Sequence, residues 1–339
     1  MLRTLLNSQQ AGLLFVILLI GTILSLSAGD HVNRVTGEVV NNFLNSYTLM
    51  QTATDASFFV IMAVGATVVI ISGGIDLSVG AVYALAGVMT AMMLRAIGPE
   101  SPFVAVVLTL GMCVGIGVLC GLINGAMVVG LRVHPFIVTL GTMWIYRGVA
   151  FVTSKAESIL VPPSLTDVVK WSIGGDALYP MPMIIMLIIT AAVAIYLSRT
   201  VMGRHIFAVG GNVDASRYAG LRINRILIGV YILSGLTAGI AAFVGISYYG
   251  SASCADATGY ELYVIASAVV GGASLRGGRG NAVNAMLGAT LIVLIRQSIR
   301  TLHLDQNYEW IIIGCAIIVA VVLDQINQHF TTRRLAKEA

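Results

Sequence analysis

The chain has 339 residues and a formal net charge of +4, with 58% hydrophobic and only 10% charged residues, and its mean hydropathy is +0.92. Soluble domains carry about 25% charged residues because their surfaces face water, so this composition excludes an ordinary soluble enzyme and points to an all-α polytopic membrane protein with no nucleic-acid partner. Cys113, Cys120, Cys254 and Cys315 form no CxxC pair, which argues against both a disulfide framework and a zinc site.

A spanning helix needs roughly 20 mostly apolar residues. The apolar runs predict about ten of them in a single membrane domain over residues 1–339, at about 11–28, 56–72, 77–94, 103–129, 135–153, 183–198, 226–246, 260–274, 281–299 and 309–325. The first run, with Arg3 before it and small residues near Ala28, also has the outline of a signal peptide, but it is long enough to span. The fourth is longer than a bilayer requires, which suggests a tilted or broken helix, and the eighth is short and rich in small residues. Orientation follows from the basic residues of the loops. Arg3, Arg132, Arg199, Arg204, Arg217, Arg222, Arg225, Arg276, Arg279, Arg333, Arg334 and Lys337 fall on one side, against Arg34, Arg95, Lys155, Lys170 and Arg300 on the other. Both termini are therefore expected in the cytoplasm. Arg147 and Arg296 lie inside predicted spans.

Three polar interruptions stand out along the chain. The first is ISGGIDLSVG, residues 71–80. In hydrocarbon every backbone polar group needs a partner within the protein. Ser72, Gly73 and Gly74 give the chain freedom to turn, and Asp76 is suited to cap a helix starting at Leu77 by accepting from amides near Ser78 and Val79. Ser78 does similar work if the boundary shifts. The stretch reads either as a capped turn or as part of a gate on the transport route, since intramembrane acids often serve function. The second is the basic inner loop 199–225, where Asn212 or Asp214 is placed to start a short helix and Gly220 to stop it. Ala215, Tyr218 and Ala219 fall on one face of that helix, which suits either a docking surface for a soluble partner or contact with anionic lipid. The third is GGASLRGGRGN, residues 271–281, opening on Gly271 and Gly272. Its apolar run and paired glycines echo those before Asp76, as a trace of internal duplication would. It is no phosphate loop, for GxxxxGK[ST] occurs nowhere in the chain; any ATP would be bound by another polypeptide, and no cofactor, metal or catalytic residue is expected here.

At these motifs the sequence resembles the membrane-spanning permeases of bacterial ABC importers for monosaccharides, the ribose, galactoside and xylose type. The matching pieces are SGGIDLSVG (72–80), GLINGAMV (121–128), HPFIVTLGTMWIYRG (134–148), GRHIFAVGGNVDASRYAG (203–220) and YELYVIASAVVGGASLRGGRGN (260–281), within a likeness from about residue 12 to residue 325. Arg279 departs from it, where a smaller residue is more usual. The resemblance implies a ten-helix subunit of the inner membrane, paired with a second permease copy or a paralogue. It also implies a cytoplasmic ATP-binding subunit with two nucleotide-binding modules and a periplasmic sugar-binding protein. The loop bearing Gly203, Gly210, Gly211, Asn212, Asp214, Ala215, Tyr218 and Gly220 would be its coupling element. A substrate pathway needs hydrogen-bonding groups and flat faces, which Asn124, Thr139, Trp144, Tyr146 and Ser267 could supply unless they only pack helices. An ion-coupled secondary transporter is the alternative; it would rely on embedded charges such as Asp76, Arg147, Glu261, Arg296 and Asp324. A passive channel would need a ring of charges or a filter, and none is visible.

Overall fold

The computed structural model describes residues 8–32, 37–172, 178–312, 314, 315 and 318. The helices are α1 (Ser8–Ser27), α2 (Ser46–Ile71), α3 (Val79–Ile97), α4 (Pro102–Leu131), α5 (Pro135–Ser154), α6 (Pro163–Val169), α7 (Met181–Arg199), α8 (Val201–Gly211), α9 (Val213–Tyr218), α10 (Ile223–Tyr249), α11 (Tyr260–Val270) and α12 (Ala282–Thr301). Two short antiparallel ribbons accompany them. One pairs β1 (Asp30–Val32) with β2 (Val39–Asn41), the other β3 (Ile159–Leu160) with β4 (Ser251–Ala252). Among the described residues, 8 helices are long and apolar enough to cross a membrane. Residues 308–312 continue as helix, but most of the predicted span 309–325, Asp324 included, lies outside the described residues, as do both termini.

Helix ends depart from the apolar runs for local reasons. Helix α2 begins at Ser46, well before residue 56, because Asn45 caps it by accepting from the Thr48 amide at 2.8 Å. Its polar first turns are helical without being hydrophobic. Helix α3 starts at Val79, not Leu77, and α4 is one unbroken helix of 30 residues. Helix α11 has only 11 residues. At ~1.5 Å per residue it is about 16 Å long, roughly half the hydrocarbon thickness. Such a half-helix survives only where neighbours cover its end, and α2 and α12 do so.

Helix α2 is the axis of the molecule: 94% of its most apolar window is buried, against 11% for α1 and 28% for α4 and for α7. Helices α7, α10, α11 and α12 wrap it, while α1, α4, α5 and α7 turn apolar faces outward. Lipid offers no hydrophobic drive for helix association, so close backbone approach through small residues does that work. The most extensive contact, between α4 and α10, is of this kind. Gly117 of α4 faces Gly235 of α10 so closely that a Cβ on either would strike the other's carbonyl oxygen, and a Cβ on Gly125 would come within 2.8 Å of Ile228 Cα.

Candidate functional site

The loop over 199–225 folds into two helices of different character. Thr200 opens α8 by accepting from the Gly203 amide at 3.0 Å, and α8 buries Gly203, Ile206 and Val209. Asn212, rather than Asp214, caps α9, accepting from the Ala215 amide at 2.9 Å. Asp214 instead forms an exposed pair with Arg217 at 3.4 Å. The helix ends as its sequence requires. Gly220 takes a φ of +82°, its amide donates to the Arg217 carbonyl at 3.0 Å, and Leu221 donates to the Ser216 carbonyl at 3.1 Å. That bonding satisfies carbonyls otherwise left open at a helix end. Only Ser216 of α9 is buried; Ala215 and Ala219 are exposed and Tyr218 is 92% exposed. So α8 is packed into the body and α9 is held out from it.

The end of α8 meets both other motifs. Helix α2 closes at Gly73, whose φ is +86° and whose amide donates to Ile70, followed by Gly74 donating to Val69. Helix α11 closes in the same way at Gly272, also at +86°, donating to Val269, with Ala273 donating to Ala268. The geometry therefore registers Gly73 with Gly272 and Ser72 with Gly271, one residue out of step with the echo seen in the sequence. Beyond α11 the chain returns to the end of α2, where the Gly278 amide donates to the Ile71 carbonyl at 2.8 Å. Gly210 sits on this bond: a Cβ there would strike the Ile71 carbonyl oxygen and lie 2.7 Å from Gly278 N. A Cβ on Gly277 would come within 2.6 Å of the Gly210 oxygen and 3.0 Å of Gly73 Cα, and one on Gly278 within 2.9 Å of Gly211 Cα. Three chain segments thus touch backbone to backbone at a single glycine junction. Of its members, the sequence reading singled out Gly73, Gly210 and Gly211. It missed Gly277 and Gly278, for which the glycine density of residues 271–281 was the only signal.

Asp76 stands just beyond that junction and is 3% exposed. Its Oδ1 accepts from the Ser78 amide at 2.9 Å and the Ser78 hydroxyl at 2.7 Å, while Oδ2 accepts from the Ser234 hydroxyl of α10 at 2.8 Å. Among the described residues no basic side chain pairs with it. Asn124 donates to the Ser78 hydroxyl at 2.7 Å and accepts from the Tyr146 hydroxyl at 3.2 Å. Thr139 bridges α5 to the turn through the Ile75 carbonyl at 3.2 Å. Asn124 and Thr139 therefore join the Asp76 cluster. Ser267 does not: it bonds back to the Tyr263 carbonyl within α11 at 2.7 Å. Trp144 is 68% exposed on the outer surface of α5. Ser234 was not foreseen, and nothing near it in the sequence marks it.

Among the described residues the other embedded charges are matched. Arg147 Nη2 lies 3.5 Å from Glu261 Oε1, and its guanidinium also donates to the carbonyls of Cys254, Asp256 and Ala257. This clamps the loop ahead of α11 onto α5. In that loop, burial holds the Asp256 carboxyl above the ordinary carboxylate range, against the Ser253 amide and the Arg147 charge, which pull it down. Arg296 Nε lies 2.7 Å from Glu309 Oε1. An ion-coupled carrier needs an embedded charge free to exchange its ion; these arginines and glutamates are committed to each other, and Asp76 is committed to the Ser78 and Ser234 donors. Among the described residues no group of three or more His, Cys, Asp or Glu side chains could hold a metal ion.

The described residues form a polytopic all-α membrane protein in which α8 is packed into the body and α9 projects from it. Comparison with known proteins agrees. Residues 48–321 match the family described as "Branched-chain amino acid transport system / permease component", and the chain belongs to that family. It is 36% identical over 284 residues to the D-allose transport system permease protein AlsC of Escherichia coli (strain K12), covering 84% of this chain and 85% of that one. It is 35% identical over 322 residues to the ribose import permease protein RbsC of the same strain, covering 94% of each. The fructose import permease protein FrcC of Rhizobium meliloti is 32% identical over 289 residues, covering 84% of this chain and 79% of the relative. No solved structure matches the chain. As a member of this family the chain is an inner-membrane permease subunit of an ABC importer and not itself an enzyme, and ATP hydrolysis belongs to a separate subunit.

Proposed function

We propose that the chain moves a monosaccharide or similar small neutral polyol inward, as one of two permease subunits that are copies or paralogues. A periplasmic sugar-binding protein delivers the cargo. An ATP-binding subunit with two nucleotide-binding modules docks on α9, whose exposed face carries Ala215, Tyr218 and Ala219, and the basic residues around it suit an acidic partner surface. The observation that carries the reading is the glycine junction. A load on α9 passes through α8 to the end of α2 and to the α11–α12 loop with no flexible side chain between them. The names of the sugar-importing relatives support the cargo.

In this mechanism nucleotide-driven closure of the ATPase displaces α9, α8 follows, and the end of α2 and the α11–α12 loop shift together. The Asp76 cluster keeps the α2–α3 turn satisfied on α10 and α4 while they move. The test is uptake of D-ribose, D-allose and D-fructose into proteoliposomes holding the permease with its ATPase and binding protein. ATP-dependent uptake of one sugar is expected. Deleting residues 212–219 should stop uptake while leaving the protein in the membrane and ATP hydrolysis running. Uptake by the lone permease under a proton or sodium gradient without ATP, or normal uptake by the deletion variant, would overturn the reading.

A further inference from the structure

At the end of α2 away from the glycine junction, the helix ends of α2, α10, α11 and α12 enclose a cavity of about 260 Å³. Asp55, on its wall, lies about 24 Å from Ile71 along α2, at ~1.5 Å per residue. From its chemistry we infer that this cavity is a binding station for the solute, specific for one small, uncharged, polyhydroxylated ring. The inference rests on the reading of the chain as an importer of such a solute.

Two walls are aromatic. Phe59 and Tyr260 lie with ring centroids 4.3 Å apart, and Phe58 and Tyr249 with theirs 5.5 Å apart. Phe58 and Phe59 are 3% and 2% exposed at the base, whereas Tyr249 is 54% exposed at the mouth. These rings pack on one another and give the cavity an apolar lining, with Tyr249 the ring most open to a ligand. Polar groups converge on the same space. Asp55 is held by Arg300 at 2.8 Å and by Gln51 at 3.1 Å, and Gln297 reaches the cavity from α12. Carboxylate, amide and guanidinium together offer both acceptors and donors, as hydroxyl groups require, and an aromatic lining with a few convergent polar groups is the usual make-up of a small-molecule site.

Charge decides the class of ligand. Arg300 is paired with Asp55 and Arg296 with Glu309 at 2.7 Å, and the Arg296 guanidinium also lies 5.1 Å from the centroid of the Phe59 ring. The acids and bases cancel, so an anion would have to displace a carboxylate and a cation would face two guanidinium groups. The volume of about 260 Å³ lies just below the usual range for ligand pockets, about 300–1,000 Å³, which admits one ring and not two.

The test is saturation-transfer NMR of D-ribose, D-allose and D-fructose against the lone permease in nanodiscs, alongside uptake by the complete importer. The near-isosteric variants Asp55→Asn and Gln297→Met are compared with the wild type, with thermal melting to show that each folds. Saturation transfer to one sugar, weakened at least tenfold by either substitution with melting unchanged, is the expected result. No transfer to any of the three, or transfer that survives both substitutions, overturns the station; if the complete importer still takes up one of them, the sugar reading stands without it. Transfer that the substitutions abolish, in a chain whose complete importer takes up none of them, supports the station and overturns the importer reading instead.

Discussion

Gly210→Ala tests the junction most directly. A methyl group at this position would lie on the Gly278–Ile71 hydrogen bond, striking the Ile71 oxygen and sitting 2.7 Å from Gly278 N, where ordinary contact begins at 3.4 Å. The end of α8 must back away from the α11–α12 loop by about 0.7 Å or more, or the bond must break. Overpacking of this kind costs about 1–3 kcal/mol, and loss of the backbone bond adds about 0.5–1.5 kcal/mol, so the junction is weakened by roughly 2–4 kcal/mol. The matched control is Gly211→Ala, next in the chain, where an added Cβ has nothing within 4 Å. In proteoliposomes holding the complete importer, sugar taken up per ATP hydrolysed should fall at least tenfold for Gly210→Ala and stay near the wild-type value for Gly211→Ala. If Gly210→Ala folds and keeps its uptake per ATP, or if Gly211→Ala does equal harm, the junction does not transmit the load.

Two further substitutions probe the polar clusters by thermal melting in detergent and by uptake. Asp76→Ala leaves the Ser78 amide and the hydroxyls of Ser78 and Ser234 without their acceptor, a loss of about 3–9 kcal/mol at about 1–3 kcal/mol for each stranded donor. Asp76→Asn keeps an acceptor toward Ser78 and should melt within about 1 kcal/mol of the wild type and still transport; a folded Asn variant without uptake would show that the charge itself is used. Arg147→Met strands Glu261 and three carbonyls in a buried site and should destabilise by about 3–5 kcal/mol. Adding Glu261→Gln should restore part of that, and no recovery would mean that the carbonyl clamp, not the ion pair, carries the loss.

What the sequence by itself determined was set by composition and by bonds a few residues long. Residence in the membrane follows from apolar content. The Asn212 cap, the Gly220 stop and the acceptance of the Ser78 amide by Asp76 are contacts between near neighbours, so their chemistry is legible in order along the chain. Helix starts were less legible, since the first turns of α2 are polar and hydropathy records greasiness, not helicity. Only the tertiary structure decided which turns meet. The second oxygen of Asp76 is satisfied from Ser234, Gly210 rests on the end of α2 beside Gly278, and Asp55 finds Arg300. Each of these partners lies far along the chain, and apolar runs of similar length and composition do not say which of them will be neighbours. That choice is made by close packing of small residues in a solvent that does not itself sort one helix face from another.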